Sequence, residues 1–488
     1  MRIYGLSGSG MDIDGMVKDL MKAANTPLNK LNQQKTSLQW KRDDYTSIYN
    51  TVKDFRNTAF NYKLDKTLSP QKVTSSNESA VVATTSGGAA AVSHTVEVAA
   101  LATGATAVSS GTLTDPANSK TSIASQFSLA ADTTLAFKVN GKDVTINTNQ
   151  SLNEFAAALN RSGAGVQATY DSTADRMYIY SSTTGSAAKV DFTGSSDLSF
   201  ITNQLKLSTS SAGTDASVKI DGQSITQSSN SFSLAGVSYT LKSTTAAGNS
   251  VTIGVSTDID QTVDNIKSFI ESYNATLKTI NDKLSEVHSR SYTPLTADQR
   301  SSMSDSEITA WEKIAKTGLL NNDSILRQAV TNMRNSISNP VSGISGSYTS
   351  LSSIGITTGA YTEGGKLYLD ETKLRKALQE DPSAVKNLFG TDGTTAAQDG
   401  IAQRLYDSLK GTMNQLNDKA GIAAGTADTK SAMAKELKSI NDKISTTTTR
   451  ISAMQERYYK QFDAMETMLQ KLNSQSTWIS KMVGGSSQ

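Results

Sequence analysis

Met433-Ala-Lys-Glu-Leu-Lys-Ser-Ile-Asn-Asp-Lys-Ile444 opens the stretch whose reading decides the fold. Stepping alternately by four and three from Met433 meets Leu437, Ile440, Ile444, Thr447, Ile451, Met454, Tyr458, Gln461, Met465, Met468, Leu472, Gln475, Ile479 and Met482. Twelve of these fifteen positions are apolar. The series at sevens (Leu437, Ile444, Ile451, Tyr458, Met465, Leu472, Ile479) has no polar member. An apolar residue about every 3.5 positions keeps one seam turned toward a partner helix, so the pattern predicts a coiled coil. Neither Gly nor Pro lies between Met433 and Val483 to break it. A helix with one apolar stripe cannot bury that stripe alone. It must pack on another helix of the chain, on a sister subunit or on another protein.

Working outward, the same spacing recurs more weakly near the start: Val17, Met21, Ala24, Leu28, Leu31, Lys35, Leu38, Arg42, Tyr45, Ile48, Val52, Phe55, Ala59 and Tyr62. Pro27 lacks an N–H and clashes with the preceding turn, which predicts an interruption or kink there. A third seam is clean: Val263, Ile266, Ile270, Tyr273, Leu277, Ile280, Leu284 and Val287. Asp323-Ser324 then opens a helix with Leu326, Val330, Met333 and Ile337 inward. Helices from both ends and from the second half are therefore candidates for one bundle.

The middle differs in composition. Residues 73–258 carry 22 of the chain's 92 Asp, Glu, Lys and Arg side chains, although they make up well over a third of its length. They are rich in Ser, Thr, Gly and Val and read as strands and turns. Leu135-Ala-Phe-Lys-Val-Asn-Gly-Lys-Asp-Val-Thr-Ile146 reads as a hairpin turning at Asn140-Gly141. Ser151 caps a short helix to Leu159, with Glu154 at the capping-box position. Val166 to Tyr170 and Met177 to Tyr180 follow as strands. A second hairpin turns at Asp221-Gly222, and a third is expected from Tyr361 to Leu369, ending at Asp370 as a helix N-cap. The fold class is thus an α+β multidomain chain. A helical coiled-coil or bundle part comes from both ends and the second half, with β-rich domains inserted between about Lys72 and Asp258.

Composition excludes much. The 488 residues predict about three domains. With no Cys, and only His94 and His288, a Cys/His zinc site or a thiol nucleophile is out. A formal charge of +2 argues against electrostatic capture of nucleic acid. No apolar run reaches the roughly 20 residues that span a bilayer. The opening Met-Arg-Ile-Tyr-Gly-Leu-Ser-Gly-Ser-Gly lacks the apolar core of a Sec signal peptide. Ser and Thr total 125, about a quarter of the chain, so short Ser- and Lys-containing motifs arise by chance. Ser69-Pro-Gln-Lys72 and Lys316-Thr-Gly318 mimic a serine acylase, but Ser304-Asp305-Ser306 is not its third motif. Gly5-Leu-Ser-Gly-Ser-Gly10 lacks the Lys-Ser/Thr of a phosphate loop. Asp258, Asp260 and Asp264 lack the Gly and Glu of a calcium loop and read as helix-capping acids. No polar set converges on chemistry, so no enzyme, no metal and no cofactor is expected.

Several segments, in order, resemble the flagellar hook-associated protein 2 family, the filament caps, in its Bacillus-type Gram-positive form. They are Ser9-Gly-Met-Asp-Ile-Asp-Gly-Met-Val17, Thr95-Val-Glu-Val-Ala-Ala-Leu-Ala102, Phe269-Ile-Glu-Ser-Tyr-Asn274, Pro294-Leu-Thr296, Met303-Ser-Asp-Ser-Glu-Ile308, Trp311-Glu-Lys313, Gly318-Leu-Leu-Asn-Asn-Asp323 and Gln461-Phe-Asp-Ala-Met-Glu466 with Leu472-Asn-Ser-Gln475. Residues 134–192 resemble the flagellin "IN" module. The resemblance implies a ring at the flagellar tip, typically of about five copies. Helical legs would face the filament, with β-rich heads above that help flagellin fold and insert. It implies export through the flagellar type III apparatus, and as partners the chain itself, flagellin, a hook-associated junction protein and a cytoplasmic export chaperone.

On this reading residues 1–40 and 431–488 are coiled-coil helices, the first poorly ordered alone. Residues 41–72 with 259–430 form the leg, 73–107 with 215–258 an inner head, and 108–214 an outer head. The assembly seam comprises Leu437, Ile444, Ile451, Tyr458, Met465, Leu472, Ile479, Leu28, Leu31, Leu38, Ile270 and Leu277. The alternatives are a filament or hook–filament junction subunit, against which the Gly484-Gly-Ser-Ser-Gln488 ending speaks, and a tip adhesin using the Ser/Thr-rich modules.

Overall fold

A computed structural model describes residues 12–85, 88–423 and 428–484. Residues 5–11 and 485–488, on which the Gly-rich start, the first part of the Ser9 motif and the chain ending fall, lie outside the described residues. The chain divides into two compact units, Ser69–Gln261 and the two flanks up to Leu68 and from Thr262.

The inserted unit holds two hydrophobic cores. The first lies between a five-stranded antiparallel sheet, ordered Gln71–Ser75, Val251–Thr257, Ser93–Ala100, Ala216–Ile220, Gln223–Gln227, and a three-stranded sheet of Ser231–Leu234, Val237–Leu241 and Val81–Thr85. Strict alternation sends Val251, Ile253 and Val255 inward. The Asp221-Gly222 turn forms, with both residues at positive φ. Asp221 accepts the Thr95 N–H at 2.8 Å and lies 2.7 Å from Nδ1 of His94. The His94 and Thr95 contacts hold the Asp221 carboxyl below the usual carboxylate range.

The second core collects residues 105–207. The Asn140-Gly141 hairpin joins Thr134–Val139 to Lys142–Asn147. Helix Leu152–Arg161 carries the Ser151/Glu154 capping box. Strands Thr106–Val108, Arg176–Ser181 and Val166–Asp171 make a sheet. Phe137 lies 5.1 Å from Phe155 and 5.8 Å from Phe200, ring centre to ring centre, which closes this core.

One carboxylate organises the edge of the second core. Asp175 accepts the Leu113 and Thr114 N–H groups at 3.0 and 2.7 Å, the Thr114 hydroxyl at 2.8 Å and the Tyr170 hydroxyl at 2.6 Å, with the Lys120 ammonium at 3.3 Å. Burial opposes its ionisation, but these donors outweigh burial and hold the carboxyl down at about 2. Because the folded value lies below the unfolded one, ionised Asp175 contributes its stability above pH ~4, and that contribution fades as pH falls toward ~2. The difference is worth about 2 kcal/mol. Asp175→Asn keeps the side-chain shape and suits the positive φ of this position. It is expected to lower the stability of the Ser69–Gln261 unit by about 2 kcal/mol at pH 7 and by little near pH 2. Thermal unfolding of wild type and variant across that range measures this; a pH-independent difference would assign Asp175 a purely steric role.

The flanking unit is helical. Its longest members are Ile13–Asn61, Ile259–Ser285, Ile401–Ala420 and Ala432–Gly484, joined by the shorter Asp305–Lys316 and Ser324–Ser338. Pro27 does not interrupt the first helix, so the interruption expected as one of its two effects is absent. The ring forfeits one backbone hydrogen bond, and the helix continues through it because both ends of this long element are packed against others.

Phe269 is fully buried, with the rings of Phe55, Tyr62 and Phe389 centred 5.9, 5.1 and 5.2 Å away. Asp323 caps the Ser324–Ser338 helix through Oδ1, accepting the Ile325 and Leu326 N–H groups. Its Oδ2 accepts the Tyr45 hydroxyl at 2.6 Å and so ties the first helix to that cap. Arg404 donates to the carbonyls of Ala396, Asn339, Pro340 and Ala397 at 2.7–3.0 Å, clamping two loops.

The hairpin expected from Tyr361 to Leu369 is not formed. Tyr361–Glu363 is a 3₁₀ turn, and Leu367–Leu369 pairs instead with Ile356–Thr358. Gly364 and Gly365, both at positive φ, turn the chain between the two. Asp370 does cap the helix Glu371–Glu380, accepting the Lys373 N–H.

Candidate assembly surface

The first and last helices run side by side in opposite directions. Arg42 donates to the carbonyl of Ala420, the end of the Ile401–Ala420 helix that precedes the last one, whereas Asp14 meets the Tyr459 hydroxyl at 3.1 Å, well along the last helix. Between these points Val17, Met21 and Ile451 are buried together. Ile13, Ala24, Leu28, Tyr458, Tyr459 and Phe462 pack around them.

The seam residues fall into three groups. Ile270 and Leu277 are buried in the helix Ile259–Ser285. That helix ends before Val287, which is 82% exposed, so the third seam stops one step earlier than its spacing suggested. Leu28, Leu31, Leu38, Leu437, Ile444 and Tyr458 are half-buried, and Ile451 is 8% exposed. Met465, Leu472 and Ile479 are exposed, Leu472 at 55%. Met482 has no described side-chain placement.

The helix pair does not bury the series at sevens as a set. Met433, Ile440 and Ile451 are the buried apolar positions of the last helix, and Phe462 packs next. The last two of these steps, Ile440 to Ile451 and Ile451 to Phe462, are elevens. A straight α-helix drifts about 20° per heptad, so an eleven-residue spacing keeps a contact on one face where sevens would rotate away. Phe462 and Tyr459 were missed in the sequence because they fall outside the four-three register; testing the run for an eleven-residue period finds Phe462.

Past Phe462 the last helix continues for about 33 Å, at 1.5 Å per residue, to Gly484. Every described side chain of residues 471–481 is exposed, and Met468, Trp478 and Ile479 are more than half so. Among the described residues none is buried between 471 and 481. Isolated helices are marginal in water, and a helix stripe of this size left to solvent marks an interaction site. Earlier on the same helix, Lys438 pairs with Asp442 and Lys460 with Glu456, each at 2.9 Å and four residues apart, as ordinary solvated surface pairs.

The inner helices are fixed more firmly. Lys283 reaches Asp44 at 3.0 Å and Glu286 at 3.1 Å, linking the Ile259–Ser285 helix to the first helix. Burial raises the Asp44 carboxyl against the pull of Lys283. Burial also favours neutral Lys283, but the two carboxylates outweigh it and raise its value. Nothing in this arrangement converges on a reacting atom, and no group of three or more His, Asp or Glu side chains is placed to hold a metal among the described residues. No helix of the described residues is long and apolar enough to cross a membrane.

The family profiles "Flagellar hook-associated protein 2 C-terminus" and "Flagellar hook-associated protein 2 N-terminus" match residues 213–474 and 9–105. Flagellar hook-associated protein 2 of Halalkalibacterium halodurans is 30% identical, over 97% of this chain and 98% of its own. That of Escherichia coli K12 is 29% identical, over 97% and 96%. Among solved structures, the flagellar cap protein of Escherichia coli aligns with a TM-score of 0.56 at 23% identity, covering 82% of this chain and 99% of that one, a likeness of fold. These matches run through both units described above.

Proposed function

The chain belongs to the flagellar hook-associated protein 2 family, and from that premise we propose that it caps the distal end of the bacterial flagellar filament. The observation that carries this is the stripe of Met468, Leu472, Trp478 and Ile479 on the last helix, exposed among the described residues, which has the character of an assembly surface. Copies of the chain associate through it and through the exposed sides of the first helix into a ring of about five, closed by rotation as heterologous contacts require.

The helical flanks (residues 41–72 with 259–430, extended by 1–40 and 431–488) act as legs toward the filament. The inner head (73–107 with 215–258) and outer head (108–214) form the plate. Flagellin, delivered through the channel, folds beneath the plate and inserts. The chain reaches the tip through the flagellar type III apparatus, held before export by a cytoplasmic chaperone, and takes its place after the hook-associated junction proteins. Its work is positional and no covalent chemistry is assigned to it.

Deleting the gene in its own host tests the reading. The expected result is abundant flagellin monomer in the medium and no filaments. Normal filaments and motility would overturn it, and binding of the Ser/Thr-rich modules to surfaces would then be the function to examine.

A further inference from the structure

The Asn140-Gly141 turn raises a separate question, because Asn followed by Gly is the most self-reactive dipeptide in a protein chain. The glycine nitrogen loses its proton to solvent and attacks Cγ of the asparagine. A C–N bond forms, the bond to Nδ2 breaks, and ammonia leaves. Water then opens the five-membered succinimide at either carbonyl, giving aspartate or isoaspartate. Asn140-Gly141 is the only such dipeptide in the sequence. Its turn lies at the surface: Gly141 is exposed, and no atom beyond its chain neighbours lies within 4 Å of where a Cβ would stand. Water and base reach it freely, so burial does not protect it.

The side chain, however, is fully engaged. Asn140 Nδ2 donates to the Ala164 and Lys189 carbonyls, both at 2.8 Å. Its Oδ1 accepts the Asp191 N–H at 3.0 Å, and its own N–H donates to the Asp191 carbonyl at 2.8 Å. The amide thus stitches the hairpin tip to the end of the 152–161 helix loop and to the strand Lys189–Asp191. Cyclisation must pull Cγ out of all three side-chain hydrogen bonds. The product cannot return to them, because a carboxylate has no N–H to offer two carbonyl oxygens and would lie against both.

We propose that Asn140 is a self-modification site gated by folding of the outer module: protected while the module is folded, converted while the chain is unfolded, and leaving a destabilised module once converted. A chain kept unfolded therefore ages at this position, and its modified fraction is lost to assembly.

The test uses the full-length chain in mildly alkaline buffer, with and without guanidinium chloride. Mass spectrometry follows the peptide that contains Asn140 and, as an internal control, the one that contains exposed Asn249-Ser250. Conversion at Asn140 is expected to be roughly a hundredfold slower in the folded chain than in denaturant, the factor that three hydrogen bonds of ordinary net strength impose on local opening. The control is expected to differ by only a few-fold. Equal ratios at the two sites would overturn the gating. The product's effect is read independently from Asn140→Asp. Its outer module is expected to melt at least roughly 10 °C lower than in the wild type, since Asp accepts the positive φ of this position and differs from Asn only in lacking the N–H donors. Melting of Asn140→Asp equal to wild type would overturn the claim that the converted chain seats poorly.

Discussion

Leu472→Asp is expected to abolish ring assembly while leaving the stability of the isolated chain within about 0.5 kcal/mol of wild type, as for any exposed surface substitution. Ile451→Asp is expected to do both kinds of damage. The two residues are three heptads apart on one seam, yet their surroundings are opposite. Ile451 is 8% exposed and packs on Val17 and Met21, whereas Leu472 is 55% exposed. A carboxylate at 451 must either be desolvated against Val17 and Met21 or force the two helices apart, at a cost of about 3 kcal/mol or more. At 472 it meets water in the free chain and is desolvated only when a neighbour covers the stripe.

Denaturant melts separate the first effect, and sedimentation of concentrated protein together with rescue of the gene deletion separates the second. Normal capping by the Leu472→Asp variant would remove the assembly role from the overhang. Destabilisation of the free chain equal to that of Ile451→Asp would show that the stripe is already covered within the monomer.

Phe269→Ala is expected to cost the helical unit about 3–5 kcal/mol. The ring is fully buried and meets three aromatic partners contributed by the first helix, the chain just after it and the Ala384–Gly390 helix. Truncation removes the transfer energy of the ring and leaves a cavity that rigid neighbours cannot fill. Against a total of about 5–15 kcal/mol for an ordinary domain, this is a large fraction. All three Trp residues, Trp40, Trp311 and Trp478, lie in the helical flanks and none in the inserted unit. Tryptophan fluorescence in a denaturant titration therefore follows the helical unit alone. The variant's fluorescence midpoint is expected to fall sharply while the β-rich unit's transition, read by circular dichroism, stays in place. A coincident fall of both would show that the two units unfold as one.

Much of this was legible in the sequence where a feature is local. Asn140-Gly141 and Asp221-Gly222 make the hairpins read from them, because only a few residue types accept positive φ at both turn positions. Ser151 with Glu154, Asp323 and Asp370 cap the helices assigned to them, since a cap is satisfied by N–H groups two or three residues away. The helical flanks and the strand-rich middle were readable from charge and periodicity alone.

What the sequence did not disclose depends on residues far apart in it. Leu367–Leu369 had a plausible partner beside it and took another, Ile356–Thr358, because the glycines between them spend their freedom on a wider turn. Arg404 gives no sign in its neighbourhood that it holds carbonyls more than sixty residues away. Pro27 reads as a breaker, and only packing at both ends of its helix overrides that.

The seam draws the division most clearly. The amino-acid sequence by itself determined that residues 433–482 form a long helix with one apolar stripe, because periodicity is a property of neighbours along the chain. Only the tertiary structure decided which part of the stripe is already paid for. The first helix runs alongside as far as Ile13 among the described residues, covering Ile451 and leaving Leu472 and Ile479 to the solvent. Where a partner helix ends is set by how two distant segments align, and no periodicity within either one encodes it.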